Sequence, residues 1–433
     1  MTTQLAAQPS AIATDQTLPR PCHWGGVLAM TLCVFALIAS EFMPVSLLTP
    51  LATDLQVSEG IAGQGIAISG AFAVLTSLSI TRLVGSMDRK MLLLILTVLM
   101  AISGAVVALA PSFTLYMVGR ALLGVVIGGF WSMSAATAMR LVPDDQVPKA
   151  LAIFNGGNAL ATVIAAPLGS YLGSVIGWRG AFLCLVPVAV VALVWQWLSL
   201  PSMKPSVRNS PAPCVFRLLR TRSVALGMAA CGAFFMGQFA LFTYLRPFLE
   251  TVTLVDTTTL SLILLVIGVA GLGGSLLIDS WLKKGLYRTL TAIPVLMAVI
   301  TLALIPTGGC VVPVAILLGL WGLMATAAPV GWWNWITQAM PDDAEAGGGL
   351  MVAVVQFAIA SGSTLGGWLF DHSGYQSTFT ASAAILLLGA ALTVLAMRAQ
   401  AVQQAGRRRL QDESCQQTLL PLGRSVMPAV NPQ

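Results

Sequence analysis

The feature that most constrains this chain is a series of long apolar runs separated by short polar turns. Twelve runs occur, at about residues 24–46, 61–84, 91–110, 113–138, 149–172, 180–199, 223–248, 257–279, 289–306, 312–338, 346–370 and 377–397. Each is close to the roughly 20 residues that an α-helix needs to cross a bilayer. Because backbone N–H and C=O groups must be paired inside lipid, each run is predicted to be a transmembrane helix. The weaker alternating segments of a transmembrane β-barrel are not the pattern here.

Charged residues are too scarce for a soluble protein of this length. Asp, Glu, Lys and Arg make up 9% of the 433 residues, whereas hydrophobic residues make up 57%. A typical soluble domain carries roughly 25% charged residues, and a surface with far fewer exposes apolar patches that aggregate. The composition excludes a soluble enzyme, a disordered protein and a coiled coil, and it leaves a polytopic membrane protein.

Basic residues are distributed unevenly between the two ends of the predicted helices. An even number of spans puts both termini on one side of the membrane. With that side inside, all but three of the 22 Lys and Arg residues lie in cytoplasmic segments, and the exceptions are Arg120, Arg179 and Arg246. The positive-inside rule therefore predicts cytoplasmic termini. The net charge of +6 is explained by these loops, so we expect no nucleic-acid partner.

A basic loop that contains several prolines divides the chain into two groups of six predicted helices. We expect an amino-terminal tail at 1–22, a first bundle at 23–199, a linker at 200–222, a second bundle at 223–397 and an unstructured polar tail at 398–433. A weak repeat relates the bundles, because Gly169 aligns with Gly366 and Gly177 with Gly374. Internal repeats of this kind are typical of transporters and place the substrate site near the midplane.

The chemistry-bearing residues argue against an enzyme. The seven cysteines form no CxxC pair and the chain has only two histidines, His23 and His372, so we expect no metal site. A nucleotide-binding P-loop is absent from the sequence, and we expect no cofactor. A membrane receptor or scaffold is the non-transport alternative, which is disfavoured because no sizeable extramembrane domain is present to carry a signal.

Two ionisable residues lie clearly inside predicted spans, where a charge is costly unless it faces a polar interior or finds a partner. Glu41 lies in the outer third of the first span and is the candidate proton carrier, because a carboxyl group there can bind and release a proton. The alternative is a hydrated carboxylate at the outer mouth, since Pro44 and Pro50 follow closely. Arg120 lies in the fourth span, and its alternative is an interfacial side chain that reaches outward to water.

Polar and aromatic side chains within the spans are candidates for binding a substrate. They are Asn155, Asn158, Gln238, Tyr244, Asn334 and Gln356. Asn155 and Asn158 are three residues apart and share one helix face, and Gln356 lies within one residue of the repeat position of Asn158. Amides can form paired hydrogen bonds with a base edge, on which aromatic rings can stack. The alternatives are amides that join helices and, around Asn334, tryptophans of an interfacial belt.

Three short motifs resemble those of the major facilitator superfamily. The segment GSMDRK at 85–90 is similar to a truncated form of its loop signature between helices 2 and 3, and GRALLG at 119–124 is similar to its R-x-x-x-G motif on helix 4. APLGS at 166–170 is similar to part of the helix 5 motif of exporters. The resemblance implies an all-α fold of two pseudo-symmetric six-helix bundles and proton coupling through Arg120. It also implies conformational gating at Asp88, Arg89, Pro167 and Gly169.

Two longer stretches carry a more specific resemblance. EFMPVSLLTP at 41–50 and the segment 119–151 resemble the sugar-efflux and purine-ribonucleoside exporters, a branch of bacterial proton-driven antiporters in that superfamily, with the purine ribonucleoside exporters nearest. This implies a monomeric protein of the bacterial inner membrane that exports inosine- or guanosine-like molecules in exchange for protons. The motifs alone do not separate a nucleoside from a sugar or a hydrophobic drug, so export of those solutes is the alternative.

The predicted orientation can be tested with reporter fusions. Alkaline phosphatase fused after Arg398 is expected to be inactive and green fluorescent protein fused there to fluoresce, because the positive-inside rule puts this residue in the cytoplasm. As a control, alkaline phosphatase inserted after Gln56, in a predicted external loop, is expected to be active. The opposite pattern of activities would show that the orientation is inverted.

Overall fold

The computed structural model describes residues 22–85, 87–203, 215–340 and 344–419, which form helices joined by short turns with no strand in these ranges. The helices of the first half are α1 (Trp24–Ser46), α2 (Leu48–Leu55), α3 (Glu59–Val84), α4 (Arg89–Ala108), α5 (Phe113–Trp131), α6 (Ser134–Arg140), α7 (Val147–Leu183) and α8 (Leu185–Ser199). Those of the second half are α9 (Arg222–Phe242), α10 (Leu245–Thr251), α11 (Thr257–Leu282), α12 (Leu286–Thr307), α13 (Val311–Ala339) and α14 (Ala344–Leu419). Short 3₁₀ helices lie at Asp144–Gln146 and Val215–Arg220.

Helix length confirms the predicted twelve-span membrane fold. Ten helical stretches in the described ranges are long and apolar enough to cross a membrane. Two of them, Val147–Ser199 and Gly347–Gln403, contain 53 and 57 residues, which is more than twice the roughly 20 residues of one crossing. Each of these two stretches therefore supplies a pair of spans, which brings the total to twelve.

Each long stretch leaves helical geometry at a glycine. Gly177 has φ 76° and ψ 163°, and Gly374 has φ 76° and ψ 177°. Only glycine adopts these angles without considerable strain. These are the two positions that the sequence repeat aligns, so both halves separate their fifth and sixth spans in the same way.

The repeat also extends to the first span of each half. α1 is followed after a short break by α2, which begins at Leu48, and α9 is followed by α10, which begins at Leu245. Leu48 and Leu245 are separated by the same number of residues as Gly177 and Gly374. In this register Glu41 of α1 corresponds to Gln238 of α9, so the two halves present an acid and an amide at equivalent positions.

The two halves pack against each other along two helix pairs, α3 with α14 and α7 with α11. Glycines permit the close approach. A Cβ atom on Gly70 would lie 2.7 Å from the carbonyl oxygen of Gln356, and one on Gly268 would lie 2.7 Å from the Cα atom of Val163. Small residues are typical of contacts between membrane helices, because lipid provides no hydrophobic drive for helix association and close packing replaces it.

The carboxyl-terminal tail differs from the sequence prediction. α14 continues to Leu419, so the backbone is helical well past Arg398, where the sequence predicts an unstructured tail. The segment 398–419 is rich in Ala, Gln, Arg and Leu, which favour helix, and its first proline comes afterwards at Pro421. The predicted amino-terminal tail up to residue 21, linker residues 204–214 and the tail from residue 420 lie outside the described residues.

The two glycine breaks generate a stability prediction. Gly177→Ala and Gly374→Ala are each expected to lower the free energy of unfolding by about 1–3 kcal/mol, because alanine is strained at these angles. Gly273→Ala is the matched control, since no atom lies within 4 Å of a Cβ there and its φ is not positive. Thermal unfolding of the purified proteins in detergent measures the effect, and equal melting temperatures for all three variants would contradict it.

Candidate functional site

The two ends of the helix bundle are named here after acidic residues that lie there. Asp54, Asp256 and Asp371 lie at the end called the Asp54 face, and Asp88 lies between α3 and α4 at the opposite end, called the Asp88 face. The candidate site lies between these faces, where the two halves meet.

Arg120 is fully enclosed and joins three helices of the first half. Its side chain is 1% exposed. Its guanidinium donates to the backbone carbonyl of Gly65 on α3 at 3.0 Å and to those of Ser40 and Glu41 on α1 at 2.8 and 3.2 Å. A buried guanidinium requires such acceptors, because it has five donors and loses its hydration. The side chain thus lies in the protein interior and not at the membrane interface.

Glu41 connects the first half to the second. Its side chain is 4% exposed, and its Oε1 atom accepts a hydrogen bond of 3.1 Å from Nε2 of Gln356 on α14. Gln356 is itself only 6% exposed. Arg120 is the cation that faces Glu41, although the guanidinium bonds to the backbone and not to the carboxylate. The enclosed position does not fit a hydrated carboxylate at the outer mouth.

Unpaired acceptors lie close to this link in the fold. The Oε1 atoms of Gln356 and of Gln238 are buried without a hydrogen-bond partner among the described residues. An unpaired buried carbonyl costs roughly 1–3 kcal/mol. Both amides can therefore gain free energy by accepting a hydrogen bond from the N–H or O–H group of a ligand.

At the Asp54 face, hydrogen bonds join the two halves. The carboxylate of Asp371 accepts one from the Ser58 hydroxyl and another of 3.0 Å from the backbone N–H of Gly60, at the start of α3. Arg246 pairs with Glu250 at 2.8 Å and also donates to the backbone carbonyl of Ser46 in the first half. These contacts close the Asp54 face.

Tyr244, predicted to bind substrate, instead forms part of this closure. It lies in the break between α9 and α10, is 0% exposed and donates to the backbone carbonyl of Ser363 at 2.7 Å. A Cβ atom on Gly63 or Gly367 would lie 2.2 or 2.3 Å from its hydroxyl oxygen. Because glycines from both halves enclose it, no ligand reaches Tyr244 in this conformation.

The Asp88 face differs, because no hydrogen bond joins the halves there among the residues that the structure describes. Asn155 on α7 is exposed and Asn158 half-buried. Nδ2 of Asn155 bonds only to the carbonyl of Leu151 on its own helix. Unpaired amide groups facing lipid would be costly, so we infer that these asparagines face a water-filled cleft between the halves, open at the Asp88 face.

Asn334 lies farther from the centre of the bundle, close to the end of α13. It is exposed, and its Oδ1 accepts a hydrogen bond of 3.0 Å from Gln338. Of the tryptophans beside it, Trp332 and Trp335 are buried and Trp333 is exposed. The structure therefore brings Glu41 and Gln356 together and leaves Asn334 near the Asp88 face.

Asp88, a predicted gate residue, joins the start of α4 to the segment that follows α8 within the first half. Its carboxylate accepts hydrogen bonds from the Ser202 hydroxyl and from the backbone N–H groups of Met203 and Lys90, the latter two at 2.8 Å. Burial raises the pKa of this carboxyl, but the three hydrogen bonds outweigh burial and hold the pKa below its ordinary value. Arg89 contributes its backbone N–H, which donates to the Met203 carbonyl.

The predicted gate residues of α7 have separate structural roles. α7 stays helical across Pro167 and leaves helical geometry only at Gly177. Gly169 packs against the end of α1, where a Cβ atom would lie 2.6 Å from the Ser46 hydroxyl oxygen. Gly169 thus allows α7 to approach α1 beside the carbonyl that Arg246 binds.

Sequence reasoning did not find the residues that close the Asp54 face. Ser58, Arg246 and Asp371 lie in predicted external loops or at helix ends, where a polar residue is ordinary. The available signal was the cluster of glycines in GIAGQG at 60–65 and GG at 366–367, since small residues mark close contacts between membrane helices. That pattern indicates contact but does not identify the partner helix.

Known proteins resemble this chain over most of its length. The sequence profile of the Major Facilitator Superfamily matches residues 30–351. A Pseudomonas aeruginosa protein named "Transcription regulatory protein OpdE" is 65% identical over 382 residues, covering 87% of this chain and 95% of that protein. The Salmonella enteritidis "Purine ribonucleoside efflux pump NepI" is 41% identical over 376 residues, covering 87% and 94% of the two chains.

Two solved structures share the fold at low sequence identity. The human organic anion transporter MFSD10 (TETRAN) has a TM-score of 0.60 and 18% identity, with 86% of this chain and 100% of that chain covered. A bacterial homolog of the human lysosomal transporter Spinster, in an inward-facing and unoccupied conformation, has a TM-score of 0.67 and 15% identity, with 86% and 96% covered.

The glycine contacts at the Asp54 face predict a conformational effect. Gly367→Val is expected to separate the halves at this face, because even a Cβ atom there would overlap the Tyr244 hydroxyl and approach Gly60 Cα to 2.9 Å. Spin labels at Thr53→Cys and Ser373→Cys, in a variant whose native cysteines are replaced, report the distance between the halves. Gly273→Val is the control. An unchanged distance in Gly367→Val would show that these glycines do not set the closed state.

Proposed function

The chain belongs to the major facilitator superfamily, and from this premise we propose that it exports purine ribonucleosides, such as inosine and guanosine, in exchange for protons. It is a multi-pass membrane transporter of small molecules. The observation that carries the proton-coupled part of the proposal is the enclosed hydrogen bond between Glu41 and Gln356, because it places an ionisable group on the contact between the two halves. The relative named as a purine ribonucleoside efflux pump supports the choice of substrate.

We assign the Asp88 face to the cytoplasm and the Asp54 face to the outside of a bacterial inner membrane. The assignment is supported by the basic residues, which gather in the segments on the Asp88 side. With this orientation the described conformation is closed to the outside and faces inward. An even number of spans puts both termini on the same side, which this assignment makes the cytoplasm.

The coupling step follows from the cost of enclosing a charge. When the Asp54 face opens, Glu41 becomes accessible to external water and can take up a proton. A neutral carboxyl is less costly to enclose than a carboxylate, so protonation favours the inward-facing state. Release of the proton to the cytoplasmic side requires the inward-facing cleft to widen beyond the described conformation, in which Glu41 is enclosed. The carboxylate that remains favours the outward-facing state, and a substrate that binds this form preferentially is carried outward.

Amides near the cleft provide the chemistry for recognising a purine ribonucleoside. The unpaired oxygens of Gln238 and Gln356 can accept hydrogen bonds from N–H or O–H groups, which inosine presents on its base and its ribose. Asn155 and Asn158 can both donate and accept, so together they can form paired contacts with a base edge.

Transport in inverted membrane vesicles tests the proposal. With a proton gradient imposed, vesicles that contain the protein are expected to accumulate radiolabelled inosine, and an uncoupler is expected to abolish accumulation. Glu41→Gln is expected to lose gradient-driven accumulation while retaining exchange of inosine down its concentration gradient, because the cleft is unchanged. Glu59→Gln is the matched control, since Glu59 lies in the first turn of α3 and outside the proposed site.

Other outcomes of the same assay separate the alternatives. Gradient-driven uptake of arabinose or ethidium without inosine would assign the protein to sugar or drug export. Inosine accumulation by Glu41→Gln that still depends on the pH gradient would place the proton-carrying group elsewhere.

A regulatory function is the second candidate, because the 65% identical relative is named a transcription regulatory protein. An exporter can alter transcription indirectly when it changes the cytoplasmic level of a regulatory metabolite. Transcript levels in a deletion strain complemented with the wild type or with Glu41→Gln distinguish the two functions. Full complementation by Glu41→Gln, which is expected to lack proton-driven export, would favour regulation that is independent of that export.

A further inference from the structure

We propose that a groove at the Asp88 face binds an anionic phospholipid. The groove has a volume of about 260 Å³ and lies between the end of α11, the first half of α12 and α13. Trp281, Lys284 and Arg288 line it near the end of α11 and the start of α12. Ala292, Leu296 and Met324 are among the residues that line it farther along α12 and α13. The groove is therefore cationic at the Asp88 face and apolar toward the membrane interior.

Among the described residues, acidic side chains do not balance the positive charge of this region; the side chains of Asp342, Asp343 and Glu345, which follow α13 in the sequence, lie outside the described part of the chain. Lys284 and Arg288 are exposed, and neither forms an ion pair with a described acidic residue. Between residues 257 and 340 the sequence contains three basic residues, Lys283, Lys284 and Arg288, against one acidic residue, Asp279. An anion placed between Lys284 and Arg288 would complement this charge.

The internal repeat shows that the first half has its own anion at the equivalent place. There Asp88 accepts hydrogen bonds from the backbone N–H groups of Lys90 and Met203. The position related to Asp88 by the repeat is Gly285, which has φ 137° and no side chain. The second half thus lacks the carboxylate and gathers cations around its position, which favours a negative group supplied from outside the chain.

The apolar part of the groove indicates that the negative group belongs to a lipid. Arg288, Ala292 and Leu296 are successive i, i+4 positions and form one exposed stripe on α12, about 12 Å long at 1.5 Å per residue. The small side chain of Ala292 leaves room beside Met324 for an acyl chain. A free phosphate would use only the cationic end, and a choline headgroup would bring its own positive charge toward Lys284 and Arg288.

Quenching of tryptophan fluorescence by brominated phosphatidylglycerol tests the site on the full-length protein in phosphatidylcholine nanodiscs. The wild type is expected to show a saturable quenching component that Trp281→Phe lacks, because Trp281 lines the groove. Lys284→Gln/Arg288→Gln is expected to weaken the affinity roughly thirtyfold, given the attraction of each basic residue for an anionic lipid. Ala292→Phe keeps both cations but fills the apolar part, so it is also expected to remove the component.

Matched controls test whether the quenching depends on this groove. Arg217→Gln/Arg220→Gln removes two exposed basic residues elsewhere and is expected to leave the quenching unchanged. Transport of inosine by the groove variants, measured separately, keeps a failure of the lipid site distinct from a failure of the proposed transport function. Equal quenching in all variants, equally strong saturable quenching by brominated phosphatidylcholine, or displacement of the brominated lipid by inorganic phosphate would each overturn the proposal.

Discussion

The buried guanidinium of Arg120 holds together the helices on which the site depends. By donating to backbone carbonyls of α1 and α3, it fixes the backbone at Glu41 without occupying the carboxylate. The carboxylate is consequently available to Gln356 in the other half. One charge thus organises the first half, and a second charge beside it is placed on the contact that must change when the transporter opens.

Charged residues are scarce in this chain, and each basic residue that departs from the positive-inside pattern has a structural explanation. Three basic residues lie outside the predicted cytoplasmic segments, and each has acceptors in the structure. Arg120 binds backbone carbonyls, Arg179 pairs with Asp54, and Arg246 pairs with Glu250. Arg246 also reaches the Ser46 carbonyl across the two halves, so a residue that departs from the charge rule takes part in closing the Asp54 face.

The twelve spans were predictable, because apolar run length is a local property of the sequence, and the repeat aligns Gly177 with Gly374, although the backbone angles at these glycines come only from the structure. The prominence of Glu41 and Arg120 was predictable for a similar reason, since a charge in an apolar run is conspicuous. The residues that contact Glu41 and Arg120 were not predictable. Gln356 is 315 positions from Glu41, and apolar patterning does not specify which helix faces meet across the halves. The surroundings of Tyr244 were not predictable either, because the glycines that enclose it, Gly63 and Gly367, lie far from it in the sequence.

The central claim is that Glu41 exchanges a proton for substrate. The most direct measurement is proton release when inosine binds to the purified protein in weakly buffered detergent solution, followed with a pH indicator, while binding itself is followed with radiolabelled inosine. The wild type is predicted to release protons in proportion to the inosine bound, and Glu41→Gln to bind inosine without releasing them. Equal proton release by Glu41→Gln, or inosine binding to the wild type without release, would contradict the claim.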